Sequence, residues 1–172
     1  SSKAFLPFTY IFCMEVNYLK TDKTTLTICI ALPLIIGALS ALLTRGSMQT
    51  FEMINKPPLS PPGWIFPIVW TILYVLMGIS SYLVVISDQP NDKALSVYFL
   101  QLAFNFFWSI LFFNLHWYLI SFIWLVVLWV LILITIVMFY KISKPAAYLL
   151  IPYFLWVTFA GYLNLAIYTI QK

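Results

Sequence analysis

The chain has 172 residues, of which 63% are hydrophobic and only 8% charged, with a net charge of +4. Soluble domains carry about 25% charged residues, so this chain has too few to cover a water-facing surface and cannot be a soluble monomer. Its 9 basic residues are scattered, which excludes a nucleic-acid partner, and two cysteines, Cys13 and Cys29, build no disulfide scaffold.

Residues 1–23 read as an N-terminal tail. The apolar stretch 4–14 is too short to span a bilayer, and it lacks the basic leader and cleavage site of a signal peptide. Met14 is expected to be the natural start, with residues 1–13 upstream of it. Residues 24–172 form the membrane domain. A spanning helix needs roughly 20 apolar residues, and charge-free stretches of that size occur at 24–44, 64–87, 94–115, 117–140 and 145–170. They lack the alternation of barrel strands. The fold class is therefore an all-α integral membrane protein, a bundle of five transmembrane helices, because helices satisfy their own backbone in lipid.

The first connection, loop 1 at 45–63, is long and Pro-rich. Pro57, Pro58, Pro61 and Pro62 stiffen it into an extended form suited to a lid or a rigid connector. The turn at 88–93 is short and polar, with Asp92 as the expected N-cap of the third helix. The turn at 114–116 is tighter. The turn at 141–144 leads into Pro145, at the start of the fifth helix. Pro33 and Pro152 fall inside the first and fifth helices, where each removes a backbone hydrogen bond. The side holding Lys20, Lys23, Lys93, Lys141 and Lys144 outweighs the side holding Arg45, Lys56 and Lys172. This charge bias places the N-terminus in the cytoplasm.

The spans contain no Asp, Glu, Lys or Arg, which argues against an ion-coupled transporter. His116, the only histidine, reads as an interfacial turn residue rather than a haem ligand. No catalytic triad, phosphate loop or metal cluster is visible. The informative polar residues are mid-span amides. Gln101, Asn105, Trp108 and Phe112 fall on one stripe of the third helix, at steps of four, three and four. Tyr153, Trp156, Ala160, Leu163 and Asn164 form a stripe on the fifth, and Trp70 and Tyr74 sit four apart on the second. Flat aromatic walls with a few amides suit a large planar apolar ligand. The same stripes also suit helix–helix packing with the amides as interhelical hydrogen bonders. Trp64 and Trp117, at span ends, read as interfacial belt residues.

Three blocks give these residues a family resemblance. The first is Lys56-Pro57-Pro58-Leu59-Ser60-Pro61-Pro62-Gly63-Trp64, continuing through Val69-Trp70-Thr71-Ile72-Leu73-Tyr74 to Met77-Gly78. The second runs from Gln101 to Trp108 and ends at Phe112-Phe113. The third runs from Ala147 to Trp156, then Phe159-Ala160 and Leu163-Asn164. Together they resemble the translocator protein family, also called the tryptophan-rich sensory protein or TspO/MBR family, over about residues 24–170. The resemblance implies a five-helix bundle, commonly dimeric, that binds porphyrins such as protoporphyrin IX. Some members also bind sterols or synthetic isoquinoline- and benzodiazepine-type ligands. The pocket is expected inside the bundle beneath loop 1, with porphyrin as a ligand and no required cofactor.

By motif position, Trp70 and Trp156 match the tryptophans tied to porphyrin binding and to its light-driven breakdown, and are the candidate catalytic residues. Asn105, Trp108, Phe112, Ala160, Leu163 and Asn164 match pocket-lining positions, and Phe51 and Pro61 match loop positions that close over the ligand. The resemblance favours the pocket over packing alone. It implies a receptor or sensor in a bacterial cell membrane, with porphyrin degradation or passive translocation as the alternatives. Arg45 or Lys56 is expected to pair with ligand carboxylates at the mouth. The chain departs from the family pattern in three places. Leu59 stands where a tryptophan is usual, Trp124 where an acidic residue is common, and Leu165 and Thr169 where the sterol motif has tyrosine and arginine. A shifted sterol pattern ending in Tyr168 and Lys172 is weak.

Overall fold

The computed structural model describes residues 23–53 and 57–171, with the backbone alone for 48–52. Among the described residues, six α-helices make five membrane spans: α1 (Lys23–Met53), α2 (Ile65–Val85), α3 (Asp92–Ser109), α4 (Tyr118–Ile142), α5 (Lys144–Leu149) and α6 (Ile151–Ile170). Five segments of the described residues are long and apolar enough to cross a membrane: Lys23–Ser47, Ile65–Val85, Asp92–Asn114, Tyr118–Ile142 and Lys144–Ile170. The protein is an integral multi-pass membrane protein.

Four boundaries differ from the sequence reading, each for a local reason. α1 does not stop at 44 but runs on to Met53, so residues 45–53, expected in loop 1, are helical. Arg45 is exposed, so it ends the apolar stretch without ending the helix. Of the rest of loop 1, residues 57–64 are described and form turns, while Lys56 lies outside the described residues. The third span closes with a π-helical turn, Ile110–Asn114, rather than an α-turn. This turn aims Asn114 at α1. There its Nδ2 donates to the Leu43 carbonyl at 3.0 Å, and its Oδ1 accepts from the Ser47 hydroxyl at 2.9 Å. Asn91, not Asp92, occupies the N-cap of α3, and its amide instead donates to the Val84 carbonyl of α2 at 3.0 Å. The fifth span breaks at Leu150, so Pro152 falls at the start of α6, where its missing N–H breaks no helical bond. Pro33 lies inside α1 as expected. Phe51's side chain, Met14 and residues 1–13 lie outside the described residues.

The spans close a ring: α1 against α2, α2 against the fifth span, that span against α4, α4 against α3, and the end of α3 back against α1. Gly78 permits the first of these contacts. A Cβ there would come within 2.5 Å of the Ile30 Cα and 2.8 Å of the Cys29 carbonyl oxygen. Small residues let helices approach closely in lipid, where no hydrophobic force drives them together. On the opposite side, the Ser80 hydroxyl of α2 donates to the Ala146 carbonyl of α5 at 2.7 Å.

Candidate functional site

A hydrogen-bonded amide network sits in the middle of the bundle. The Tyr74 hydroxyl of α2 donates to Asn105 Oδ1 of α3 at 3.0 Å. Asn105 Nδ2 donates to the Tyr153 hydroxyl of α6 at 2.9 Å, and that hydroxyl donates to Gln101 Oε1 at 2.8 Å. All four residues are buried. Unpaired amides in hydrocarbon are costly, so this chain of partners satisfies them while tying three helices together.

Trp70 lies over this network. Its ring stacks on Tyr74 at 5.6 Å, meets Tyr153 edge-on at 6.1 Å and tilts against Trp108 at 6.4 Å. Trp108 in turn stacks on Phe112 at 5.5 Å. One face of this cluster borders a cavity of about 310 Å³ between α1, α2 and α3, lined by Trp70, Tyr74 and Trp108 together with Gly37, Ser40, Ala41, Thr44, Phe66 and Phe113. Gly63, Trp64 and Pro67 border it where the first connection enters α2. The Trp108 side chain is buried, and its indole nitrogen is bonded to nothing.

Of the expected site residues, the structure brings Trp70, Tyr74 and Trp108 to this cavity, with Phe112 stacked directly behind Trp108. Asn105 and Tyr153 stand one layer back, bonded to the cavity wall through Tyr74. Asn164 lies elsewhere. Its Oδ1 accepts from the Ser121 hydroxyl at 3.1 Å and its Nδ2 donates to the Tyr118 carbonyl at 3.2 Å, which joins α6 to α4. Ala160 and Leu163 are buried on the same helix. Trp156 borders a different hollow, on the other side of α2, and its ring touches Phe66 and Phe159 rather than Trp70. Pro61 is half-buried in the first connection. That segment is tied down by Tyr162, whose hydroxyl donates to the Pro58 carbonyl at 3.1 Å.

The contribution of α1 was not anticipated. Gly37, Ser40, Ala41 and Thr44 are small residues at steps of three, one and three, so they share one face of that helix. This small-residue stripe was the signal available in the sequence. It leaves space where larger residues would fill the cavity. At Gly37 it is a steric requirement, because an added Cβ would overlap the Tyr74 ring. Trp124, at the position where the family often has an acid, stacks on Phe104 at 4.3 Å and donates from its indole to the Phe104 carbonyl at 2.8 Å. It thus joins α4 to α3, away from the cavity.

A family model described as the TspO/MBR family matches residues 29–169. A tryptophan-rich protein TspO from Archaeoglobus fulgidus is 40% identical over 157 residues, covering 90% of this chain and 99% of that one. Another protein of that name, from Chlorobaculum tepidum, is 36% identical over 147 residues, covering 83% and 93%. A translocator protein from Bos taurus is 36% identical over 141 residues, covering 77% and 82%.

Proposed function

Since the chain belongs to the TspO/MBR family, we propose that it is a membrane receptor that takes a tetrapyrrole such as protoporphyrin IX into the cavity between α1, α2 and α3. The observation that carries this reading is the aromatic wall of Trp70, Tyr74 and Trp108, facing a stripe of small residues across an open space. Flat rings gain most from burial against flat rings. Pockets of roughly 300–1,000 Å³ are typical of small-molecule sites, which supports a ligand here rather than a packing defect. Synthetic aromatic ligands of similar flatness suit the same wall. The lysines at 93, 141 and 144 support an orientation in which the cavity opens toward the side opposite the cytoplasm.

The test is a titration of the detergent-purified protein with protoporphyrin IX, read by tryptophan quenching and by the porphyrin absorbance band. Saturable binding that weakens in Trp70→Phe and Trp108→Phe supports the proposal. Linear quenching, indifferent to both substitutions, means partitioning into the micelle and returns these residues to a packing role.

A further inference from the structure

At the opposite end of the bundle from the cavity, the turn joining α4 to α5 carries a basic and aromatic patch. Lys141 lies in the last turn of α4 and Lys144 opens α5, and both are exposed. Among the described residues neither lysine forms an ion pair. Ser143 between them is extended, at φ −148° and ψ 109°. Its N–H donates to the Phe139 carbonyl at 2.7 Å, and its carbonyl accepts from the Ala147 N–H at 3.2 Å. Its side chain, at the N-cap position of α5, makes no capping bond. The backbone thus fixes the turn and leaves the hydroxyl for another acceptor.

Two tyrosines form the floor of the patch. Lys144 Nζ lies 5.7 Å from the centre of the Tyr140 ring, and that ring meets the Tyr148 ring edge-on at 6.1 Å. Tyr140 and Tyr148 are 45% and 56% exposed. Tyr148 sits one helical turn beyond Lys144, on the same face and about 6 Å deeper. About one turn deeper again, Val137 of α4 and Ile151 of α6 are exposed. Polarity therefore falls with depth as it does along a phospholipid. Two ammonium groups and a hydroxyl stand at the surface, aromatic rings at headgroup level, and aliphatic side chains below.

We propose that this patch binds the headgroup of an anionic phospholipid. Lys141 and Lys144 meet the phosphate as point charges, and the Ser143 hydroxyl donates to one of its oxygens. An acyl chain runs past the two tyrosines along Val137 and Ile151. A bilayer lipid fits better than a soluble phosphate, because the patch continues into the hydrocarbon as rings and aliphatic side chains.

The experiment titrates the detergent-purified full chain with phosphatidylglycerol and with phosphatidylcholine, and counts bound lipids by native mass spectrometry. Lys141→Gln/Lys144→Gln and Ser143→Ala perturb the site. Lys20→Gln/Lys93→Gln removes the same charge from the same side of the chain and serves as control. The wild type is expected to retain phosphatidylglycerol over phosphatidylcholine. The site double variant is expected to lose phosphatidylglycerol affinity by about thirtyfold, roughly fivefold for each lysine. Ser143→Ala is expected to lose about threefold. Lys141→Arg/Lys144→Arg and the control are expected to retain the lipid. Equal losses in the control and the site variant overturn the proposal in favour of diffuse surface charge. Equal retention of both lipids by every variant overturns it in favour of an acyl groove with no headgroup recognition. Absence of retained phosphatidylglycerol on the wild type also overturns it.

Discussion

The amide network makes a prediction about stability that can be worked from single atoms. Asn105→Leu keeps the branched outline of the side chain and removes both hydrogen bonds that Asn105 shares with Tyr74 and Tyr153. The buried Tyr74 hydroxyl then loses the acceptor it donates to, at a cost of about 1–3 kcal/mol for an orphaned buried donor. The Tyr153 hydroxyl still donates to Gln101, so its loss is nearer the ~0.6 kcal/mol average for an interhelical bond in membrane proteins. Together the substitution costs about 1.6–3.6 kcal/mol. Tyr74→Phe removes the orphan, so the double variant Tyr74→Phe/Asn105→Leu loses less than the sum of the singles, by about 1–2 kcal/mol. The assay is equilibrium unfolding by SDS in mixed micelles for the wild type, both singles and the double. Additivity within ~0.3 kcal/mol refutes the reasoning, because independent sites add and bonded ones do not.

Three further outcomes follow from close contacts and backbone geometry. Gly78→Ala forces α1 and α2 apart, because the new methyl meets backbone rather than a flexible side chain. The expected cost is about 1–3 kcal/mol, visible as a lower melting temperature in detergent. Gly37→Ala displaces the Tyr74 ring from the cavity wall, so porphyrin affinity falls more than stability does, as titration and thermal melting of one preparation will show. Leu59 is exposed and adopts φ 71° in the turn closed by the Ser60 N–H to the Pro57 carbonyl. Leu59→Gly relieves that left-handed strain of roughly 1–2 kcal/mol, less the added chain entropy of about 0.5–1 kcal/mol. A net gain of up to ~1.5 kcal/mol is expected, and a fall in melting temperature contradicts it.

Much of the architecture was legible before any coordinates. Composition alone requires a membrane, and uninterrupted apolar length marks five spans, because the cost of burying a charge in lipid is larger than any local preference. Periodicity placed Gln101, Asn105 and Trp108 on one face of their helix, where the structure has them. A charge, however, ends a hydrophobic stretch and not a helix, which is why α1 continues past Arg45 to Met53. Nor does periodicity say how one helix is rotated against the next. Trp70 and Trp156 both carry the resemblance, yet they border separate hollows on either side of α2. Asn105 and Asn164 are both mid-span amides, yet one stands behind the cavity wall and the other joins α4 to α6. Those assignments come from interhelical contacts such as Gly78 against Ile30 and Asn114 against Leu43. Each joins residues far apart in the chain, and their geometry exists only once the helices have packed.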